Sequence, residues 1–245
     1  MSVKKFDAVL DSARMITPRV RELAFRRKDG AALEFEPGQF VSFSIQSPEK
    51  VLRRSYSIAT LPESGDELLR IAVAHVEDGR ATRHLFAMEQ GDELPALGPA
   101  GRFVLRDDGH CRYVLLATGT GVTPYRAFLP ELRRRLQDPK MSVDLVLGVR
   151  NPEELLYGED FLAMEGEFSN FRFFACYSRE MPDAPRERDR KGYVQEHLDE
   201  LALDPAHDVV YLCGNPGMID AAAEFCDKAG FPLVNVRREK YVSSN

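Results

Sequence analysis

The pattern of hydrophobic residues changes near Asp108, and this change constrains the fold more than any other feature of the sequence. Before it, apolar and polar residues alternate in short runs separated by turn residues, which is typical of antiparallel strands. After it, continuous apolar runs alternate with helical segments, which is typical of parallel strands that are buried on both faces. We therefore expect two domains, residues 1–107 and 108–245.

The first half predicts six strands and one helix. Closing six antiparallel strands into a small barrel removes the exposed sheet edges, so we expect a six-stranded antiparallel barrel. The helix is expected at Thr82–Glu89 with Thr82 as its N-cap, and Ser64-Gly65-Asp66 predicts one of the turns. The predicted strands are Lys5–Asp11, Val20–Arg26, Phe40–Ile45, Ser55–Thr60, Leu68–Val76 and Asp92–Ala96.

The second half predicts a parallel, doubly wound sheet with a C-terminal tail. Pro124 at the first helical position, with Thr123 as the expected cap, is a strong helix start. The predicted strands are Tyr113–Ala117, Val143–Val149, Phe171–Cys176 and Val209–Cys213, and the predicted helices are Pro124–Leu136, Glu153–Leu162 and Pro216–Ala229.

Composition and charge exclude several classes of protein. The sequence contains no run of about 18 apolar residues, so we expect no membrane span. The N-terminus lacks the apolar core of a signal sequence. The four cysteines, Cys111, Cys176, Cys213 and Cys226, are scattered, which argues against a metal site or a disulfide framework and fits the cytoplasm. A net charge of −6 disfavours nucleic-acid binding.

Three basic runs stand out against this acidic background: Arg133–Arg135, Arg186–Lys191 and Arg237–Arg238. Most such runs are solvated faces of a fold. The alternative is that one of them docks an acidic protein.

Arg54, Tyr56 and Ser57 form the first candidate site. Strand side chains alternate, so Arg54 and Tyr56 point the same way. A guanidinium fork suits a phosphate, and a flat ring followed by a hydroxyl suits the isoalloxazine of a flavin dinucleotide. The alternative is an exposed strand with an ordinary Arg/Tyr pair, because such short patterns also occur by chance.

Two glycine turns lead into helices and are candidate phosphate sites. Gly79–Thr82 enters a helix N-terminus, which favours an anion. Thr118–Pro124 follows the first strand of the second half, where a dinucleotide pyrophosphate lies in doubly wound sheets. It lacks the full GxGxxG pattern and a suitably placed acidic residue, so any nucleotide is not bound in the usual dehydrogenase manner. The alternative is a tight turn without a ligand.

Ser178, Arg179, Lys191 and Tyr193 are expected where parallel strands end, and such loops bind ligands. They would suit a 2′-phosphate on adenosine, with the tyrosine ring on adenine; a solvated loop is the alternative.

Cys213 ends a strand and could face a nicotinamide, although a lone buried cysteine is usually a small hydrophobic residue.

The order of these motifs resembles that of the ferredoxin–NADP⁺ reductase family of flavoproteins, and the resemblance covers nearly the whole chain. The compact length of the chain is more similar to that of the bacterial ferredoxin/flavodoxin reductases. The resemblance implies FAD on the barrel and NADP(H) on the sheet domain, with nicotinamide C4 against flavin N5 in the cleft. It also implies hydride exchange with NADP(H) and single-electron exchange with an acidic carrier, ferredoxin or flavodoxin.

The resemblance also assigns residues. It implies that Ser57, Cys213 and Glu239 take part in catalysis, and it implies no metal. The residues implied for FAD are Arg54, Ser55, Tyr56, Ser57, Ala74, Gly79, Ala81, Thr82 and Tyr241. Those implied for NADP(H) are Thr120, Gly121, Arg150, Ser178, Arg179, Lys191, Tyr193, Cys213, Asn215 and Met218. Tyr241 would cover the second flavin face, although the extension Val242–Asn245 departs from the plant pattern, in which that tyrosine is terminal.

Two other functions remain open at this point. One is an NAD(P)H-dependent flavin or oxygenase reductase of the same architecture. The other is a non-catalytic flavin-binding redox sensor.

Overall fold

The structure is a computed structural model that describes residues 3–62, 67–107, 109 and 111–241. The predicted turn at 64–66, Asp108 at the expected boundary and the tail 242–245 lie outside the described residues. The chain divides into two compact units. Among the described residues, one contains the chain up to Leu105 together with Thr123–Phe128, and the other contains Arg106–Val122 and residues 129–241. We call them the barrel unit and the sheet unit.

The barrel unit is built from six antiparallel strands in the order β4-β3-β6-β1-β2-β5. A bridge between Ile58 and Ile71 joins the two outer strands. The strands are β1 (Lys4–Thr17), β2 (Val20–Arg27), β3 (Phe40–Gln46), β4 (Val51–Ser57), β5 (Leu69–Ala74) and β6 (Glu93–Ala100), and helix α1 (Arg80–Ala87) follows β5. Leu23, Phe25 and Phe43 are fully buried in its core. The predicted six-stranded antiparallel barrel with one helix is confirmed.

Local details of the barrel differ from the sequence prediction. Strand β4 begins at Val51, four residues before the predicted Ser55, because polar residues on both of its faces hide the alternation. The prediction of Thr82 as the N-cap of α1 is wrong, since Gly79 is the N-cap. The Thr82 hydroxyl instead donates to the carbonyls of Val76 and Gly79 at 3.2 and 3.0 Å.

The sheet unit contains six parallel strands in the order β10-β9-β8-β7-β11-β12. They are β7 (Arg112–Thr118), β8 (Ser142–Val149), β9 (Phe171–Tyr177), β10 (Asp189–Lys191), β11 (Asp208–Gly214) and β12 (Val236–Lys240). The order runs outward from β7 in both directions, so right-handed crossovers place helices on both faces. The predicted doubly wound sheet is confirmed, and β10 and β12 are strands that the sequence pattern missed.

The helices of the second half are α2 (Thr123–Arg135), α3 (Gly158–Glu167) and α4 (Pro216–Lys228). A 3₁₀ turn, Gly119–Val122, precedes α2, so Val122 is its N-cap and the prediction of Thr123 as the cap is wrong. The helix predicted at Glu153–Leu162 is instead a short 3₁₀ turn followed by α3, because Tyr157 lies between them in the left-handed region at φ 57°.

Arg112 is the centre of a charge network at the amino ends of the parallel strands. Its guanidinium donates to Asp208 at 2.9 Å and to the carbonyls of Leu201 and Ala202 at 3.1 and 3.0 Å. It also lies 3.6 Å from Asp144, a fully buried carboxylate that accepts two hydrogen bonds from Arg172 at 2.5 and 2.6 Å. The network therefore joins β7, β8, β9 and β11 at one edge of the sheet.

Within the described residues, no helix combines the length and the apolar character that crossing a membrane would require.

Candidate functional site

Arg54 and Tyr56 lie on the inner face of the barrel. Their partners across the antiparallel pair are Phe43 and Val41, which are both fully buried, and directly opposite residues share a face. The Tyr56 ring lies 6.2 Å from the Phe43 ring. Burial raises the pKa of Tyr56 to about 12, and the Arg54 cation offsets only part of that rise. Tyr56 is therefore a neutral flat ring that can stack on a ligand.

The two serines of this strand are placed differently. Ser55 points to the outer face, where its hydroxyl lies 2.8 Å from that of Ser42. Its side chain is therefore not brought together with Arg54 and Tyr56. Ser57 ends β4 and is 5% exposed.

The N-terminus of α1 offers backbone donors to an anion. Its N-cap, Gly79, provides no side-chain acceptor, and the first intrahelical bond comes from the N–H of Arg83. The N–H groups of Arg80, Ala81 and Thr82 therefore lack intrahelical partners, and the helix dipole adds positive potential there. A Cβ on Gly79 would lie 2.5 Å from Thr82 Oγ1, so the turn needs glycine.

An open pocket of about 500 Å³ adjoins this turn. It is lined by Gly79, by Arg83 and by His75 and Phe86, whose rings meet edge to face at 5.5 Å. Ala74 ends β5 just before His75. The ion pair of Arg80 with Glu49, at 2.8 Å, ties the start of α1 to the loop before β4, which is the strand that carries Arg54.

In the sheet unit, two glycine turns touch at the carboxyl ends of β7 and β11. A Cβ on Gly121 would lie 2.4 Å from the carbonyl oxygen of Cys213 and 2.7 Å from the Cα of Gly214. The backbone N–H of Asn215 donates to Thr118 Oγ1 at 2.8 Å. These contacts fix the position of the turn that contains Thr120 and Gly121.

Asn215 caps helix α4. Its side-chain oxygen accepts hydrogen bonds from the N–H groups of Gly217 and Met218 at 2.8 and 3.4 Å. This capping role occupies the Asn215 oxygen, so its amide nitrogen is the part that is left for a ligand.

Cys213, Glu239 and Tyr241 lie together at one end of β11 and β12. Cys213 and Glu239 are opposite each other in the parallel pair, and the N–H of Tyr241 donates to the carbonyl of Gly214 at 2.8 Å. Burial and the Glu239 carboxylate raise the pKa of the Cys213 thiol well above its usual value, and a hydrogen bond with Tyr241 offsets part of this. Tyr241 thus belongs to the sheet unit, whereas the other residues expected at FAD belong to the barrel unit.

We expect native alkylation to modify Cys111 alone. Cys111 is exposed, whereas the other three cysteines are buried; burial also raises the pKa of Cys176 to about 12 and that of Cys226 to about 11. Thiolates are the reactive form, so iodoacetamide at pH 8 should add one group per chain, and four groups after unfolding in urea. Peptide mass mapping locates the sites, and native labelling of Cys213 would contradict the buried thiol.

The residues expected at a 2′-phosphate meet at the carboxyl ends of β8, β9 and β10. The N–H groups of Arg179 and Ser178 donate to the carbonyls of Arg150 and Val149 at 2.9 and 3.0 Å. Lys191 is level with Tyr177, the last residue of β9. Tyr193 lies two residues after Lys191 and is 58% exposed.

The side chains of Arg150, Arg179 and Lys191 form no ion pair within the described residues. The three arginines of the adjoining basic run differ, since each of them is paired. Arg186 binds Asp189 at 2.6 Å, Arg188 lies 3.5 Å from Glu165, and Arg190 binds Glu200 at 2.7 Å. In this part of the sheet unit, the cations without an ion pair among the described residues are therefore the three expected at the candidate phosphate site.

Sequence reasoning missed two arginines that tie distant parts of each unit together, Arg21 in the barrel unit and Arg112 in the sheet unit. Both lie in strands that look ordinary, and their partners are distant in the sequence: Leu85 is 64 residues from Arg21, and Asp208 is 96 residues from Arg112. The only signal that the sequence carried was their position, Arg21 inside a predicted strand and Arg112 just before one.

Comparison with known proteins gives consistent matches over both halves. Residues 7–105 match the model of the oxidoreductase FAD-binding domain, and residues 115–224 match that of the oxidoreductase NAD-binding domain. The chain is 33% identical to ferredoxin–NADP reductase B of Sorangium cellulosum, over 98% of this chain and 99% of the relative. It is 26% identical to the toluate 1,2-dioxygenase electron transfer component of Pseudomonas putida, over 98% of this chain and 68% of that protein.

Solved structures agree with this fold. The crystal structure of the Amycolatopsis cytochrome P450 reductase GcoB matches with a TM-score of 0.85 and 28% identity, over 99% of this chain and 71% of that chain. A ferredoxin NADP⁺ reductase from Neisseria gonorrhoeae with bound FAD and NADP shares the fold, with a TM-score of 0.79 and 23% identity, over 98% of this chain and 99% of that chain. The full-length likeness and the two domain matches place this chain in the ferredoxin–NADP reductase family, as a FAD-dependent oxidoreductase that uses a pyridine nucleotide.

Proposed function

We propose that this protein transfers electrons between NADPH and a soluble one-electron carrier through bound FAD. The choice of NADPH is supported by Arg150, Arg179 and Lys191, which form no ion pair with any described residue, whereas the neighbouring Arg186, Arg188 and Arg190 are each paired. A dianionic 2′-phosphate would pair with these cations, and charge-assisted hydrogen bonds to it are strong.

The barrel unit fits FAD. Arg54 and the N–H groups at Gly79–Thr82 would hold the pyrophosphate, the Tyr56 ring would stack on the isoalloxazine, and Ser57 would lie near its reactive nitrogen. The open pocket beside Ala74 and Gly79 offers room for the adenosine half. Ser55 would contribute through its backbone, because its hydroxyl is on the outer face.

The sheet unit fits NADPH. The turn at Thr120 and Gly121 and the start of α4 at Met218 would hold the nucleotide backbone, and Cys213 would contact the nicotinamide. The adenosine end would lie between Ser178, Arg179 and Tyr193, with Tyr193 free to stack because it is exposed. We propose residues 1–107 as the FAD-binding domain and 108–245 as the NADP(H)-binding domain.

FAD, when bound, accepts a hydride equivalent from the nicotinamide and releases electrons one at a time. The side chains of this chain need not act as strong acids or bases. The Tyr56 hydroxyl and the Cys213 thiol both have raised pKa values and stay neutral near pH 7. Tyr56 and Cys213 would orient the ligands and exclude water. Glu239 and Tyr241 would hold the Cys213 thiol in position.

The carrier is proposed to be ferredoxin or flavodoxin, small acidic proteins of the cytoplasm. Support comes from the near full-length relative named a ferredoxin–NADP reductase. The basic run at Arg133–Arg135 is a weak docking candidate, because Arg133 pairs with Glu167 and both Arg134 and Arg135 pair with Glu131.

We expect Arg179→Ala to weaken the binding of NADPH but not that of NADH. Losing one charge-assisted hydrogen bond corresponds to roughly 1.5–3 kcal/mol, or about tenfold to somewhat over a hundredfold in KM for NADPH. NADH lacks the 2′-phosphate, so its KM should not change. Steady-state reduction of ferricyanide with each nucleotide measures both constants.

Arg188→Ala is the matched control, because Arg188 lies in the same loop but faces Glu165. It should leave the preference between the two nucleotides unchanged. An equal rise of both KM values in Arg179→Ala would refute the 2′-phosphate assignment.

A second candidate is an NADH-linked reductase that serves an oxygenase. It is favoured by the likeness to GcoB and to the toluate dioxygenase component. Anaerobic addition of each nucleotide to the flavin-loaded protein distinguishes the two functions. Fast bleaching of the flavin by NADPH and slow bleaching by NADH supports the first, whereas the reverse order supports the second.

A further inference from the structure

Arg21 ties the C-terminal end of α1 to the barrel. It lies on β2, and its guanidinium donates to the carbonyls of Leu85 and Met88 at 3.1 and 3.0 Å and also to that of Phe86. The last four carbonyls of a helix have no partners within the helix. One arginine side chain therefore satisfies three carbonyls at the end of α1 and places a positive charge at the negative end of its dipole.

The contacts of Arg21 connect the end of α1 back to the strand next to β5, which precedes the candidate FAD site. Arg21 pairs with Val73 of β5 across the sheet, and β5 leads directly into the Gly79 turn and α1. The end of the helix is thus held by the strand next to the one from which it emerges. Both the direction of α1 and the position of its first turn are then set by the barrel sheet.

The helix needs such an anchor. It has eight residues and no side-chain N-cap, and isolated helices of this length are not stable in water. At its start, the Arg80–Glu49 pair is exposed on both sides, with 53% and 69% of the side chains accessible, so it is a weak restraint. The three bonds from Arg21 restrain the C-terminal end of α1, and they add to the burial of Ala81, Leu85 and Met88 in the barrel core.

We propose that Arg21 is a positioning residue for FAD: by fixing the end of α1, it holds the N–H groups of Arg80, Ala81 and Thr82 in place for the pyrophosphate. This inference rests on the proposed FAD site at that turn. Arg21 itself contacts carbonyls at the other end of the helix and need not touch the ligand.

The test compares Arg21→Met and Arg21→Lys with Arg26→Met in the full-length protein stripped of flavin. Arg26 is an exposed arginine on the same strand, so its replacement controls for the loss of a charge. Flavin fluorescence quenching gives the dissociation constant for FAD and, separately, for riboflavin, which lacks the pyrophosphate. Hydrogen exchange reports the opening of α1.

We expect Arg21→Met to weaken FAD binding about tenfold, with riboflavin binding unchanged and faster exchange of the α1 amides. Arg21→Lys, with one donor group in place of a fork, should lie between Arg21→Met and wild type. Arg26→Met should resemble wild type in all three measurements.

Two results would overturn the inference while leaving the proposed function intact. One is equal FAD affinity in Arg21→Met and Arg26→Met. The other is an equal loss of FAD and riboflavin affinity, which indicates a general loss of structure. A wild-type protein that binds no FAD would instead refute the proposed site itself, and the inference with it.

Discussion

Replacing Arg112 with methionine is expected to lower the free energy of unfolding of this protein by about 3–5 kcal/mol. The substitution leaves Asp208, which is 2% exposed, without its guanidinium partner, and it removes the cation that lies 3.6 Å from the fully buried Asp144, which keeps its bonds from Arg172. It also removes the donors that satisfy the carbonyls of Leu201 and Ala202. Methionine fills similar space, so the loss comes from buried charge and unmet hydrogen bonds.

Urea unfolding followed by far-UV circular dichroism measures this effect, with Arg133→Met as the control. Arg133 pairs with Glu167 on the surface, where both side chains are 45% exposed, and such pairs contribute about 0–1 kcal/mol. If both variants unfold at the same urea concentration, the Arg112 network does not stabilise the sheet unit as proposed.

Replacing Gly121 with alanine is expected to lower kcat/KM for NADPH by about tenfold to a hundredfold, while FAD remains bound. The new Cβ would overlap the backbone of Cys213 and Gly214 at 2.4–2.7 Å. Backbone within a sheet cannot move aside as a flexible side chain can, so the turn must shift away from β11. That shift displaces the residues proposed to hold the nucleotide and separates them from Cys213.

Gly166→Ala is the matched control for this variant. Gly166 lies inside α3, and a Cβ there would have no atom within 4 Å. Alanine should stabilise that helix slightly and leave the kinetics with NADPH unchanged. Stopped-flow reduction of the flavin by NADPH is the measurement; a Gly121→Ala variant that reacts at the wild-type rate would show that the close approach is not needed.

The fold could be predicted because its largest features are local patterns. The switch from alternating to continuous apolar runs separates the antiparallel from the parallel strands, and glycine turns before Pro124 and Pro216 mark two helix starts to within one residue. Strands that break the pattern were missed. β10 has three residues, Asp189–Lys191, and its composition is that of a loop. β12 carries charged residues at four of its five positions.

The candidate sites were only partly accessible from sequence. Short motifs indicated Arg54, Tyr56 and the glycine turns, because one ligand chemistry requires those residues close together in the chain. Whether a cation is free or paired depends on residues far away, so the pairing of Arg188 and Arg190 and the availability of Arg179 were not visible. The same limit hid Arg21 and Arg112, whose partners are distant in sequence.

The residues that stabilise the sheet unit and the residues proposed to bind the coenzyme lie at opposite ends of its parallel strands. The Arg112 network lies at the amino ends, whereas Arg150, Arg179 and Lys191 lie at the carboxyl ends, about 20 Å away along a seven-residue strand. Changes to the loops at one end therefore need not disturb the ion pairs at the other. On the proposed assignment of these three cations, substitutions that change the coenzyme preference would leave the ion pairs that stabilise the fold intact.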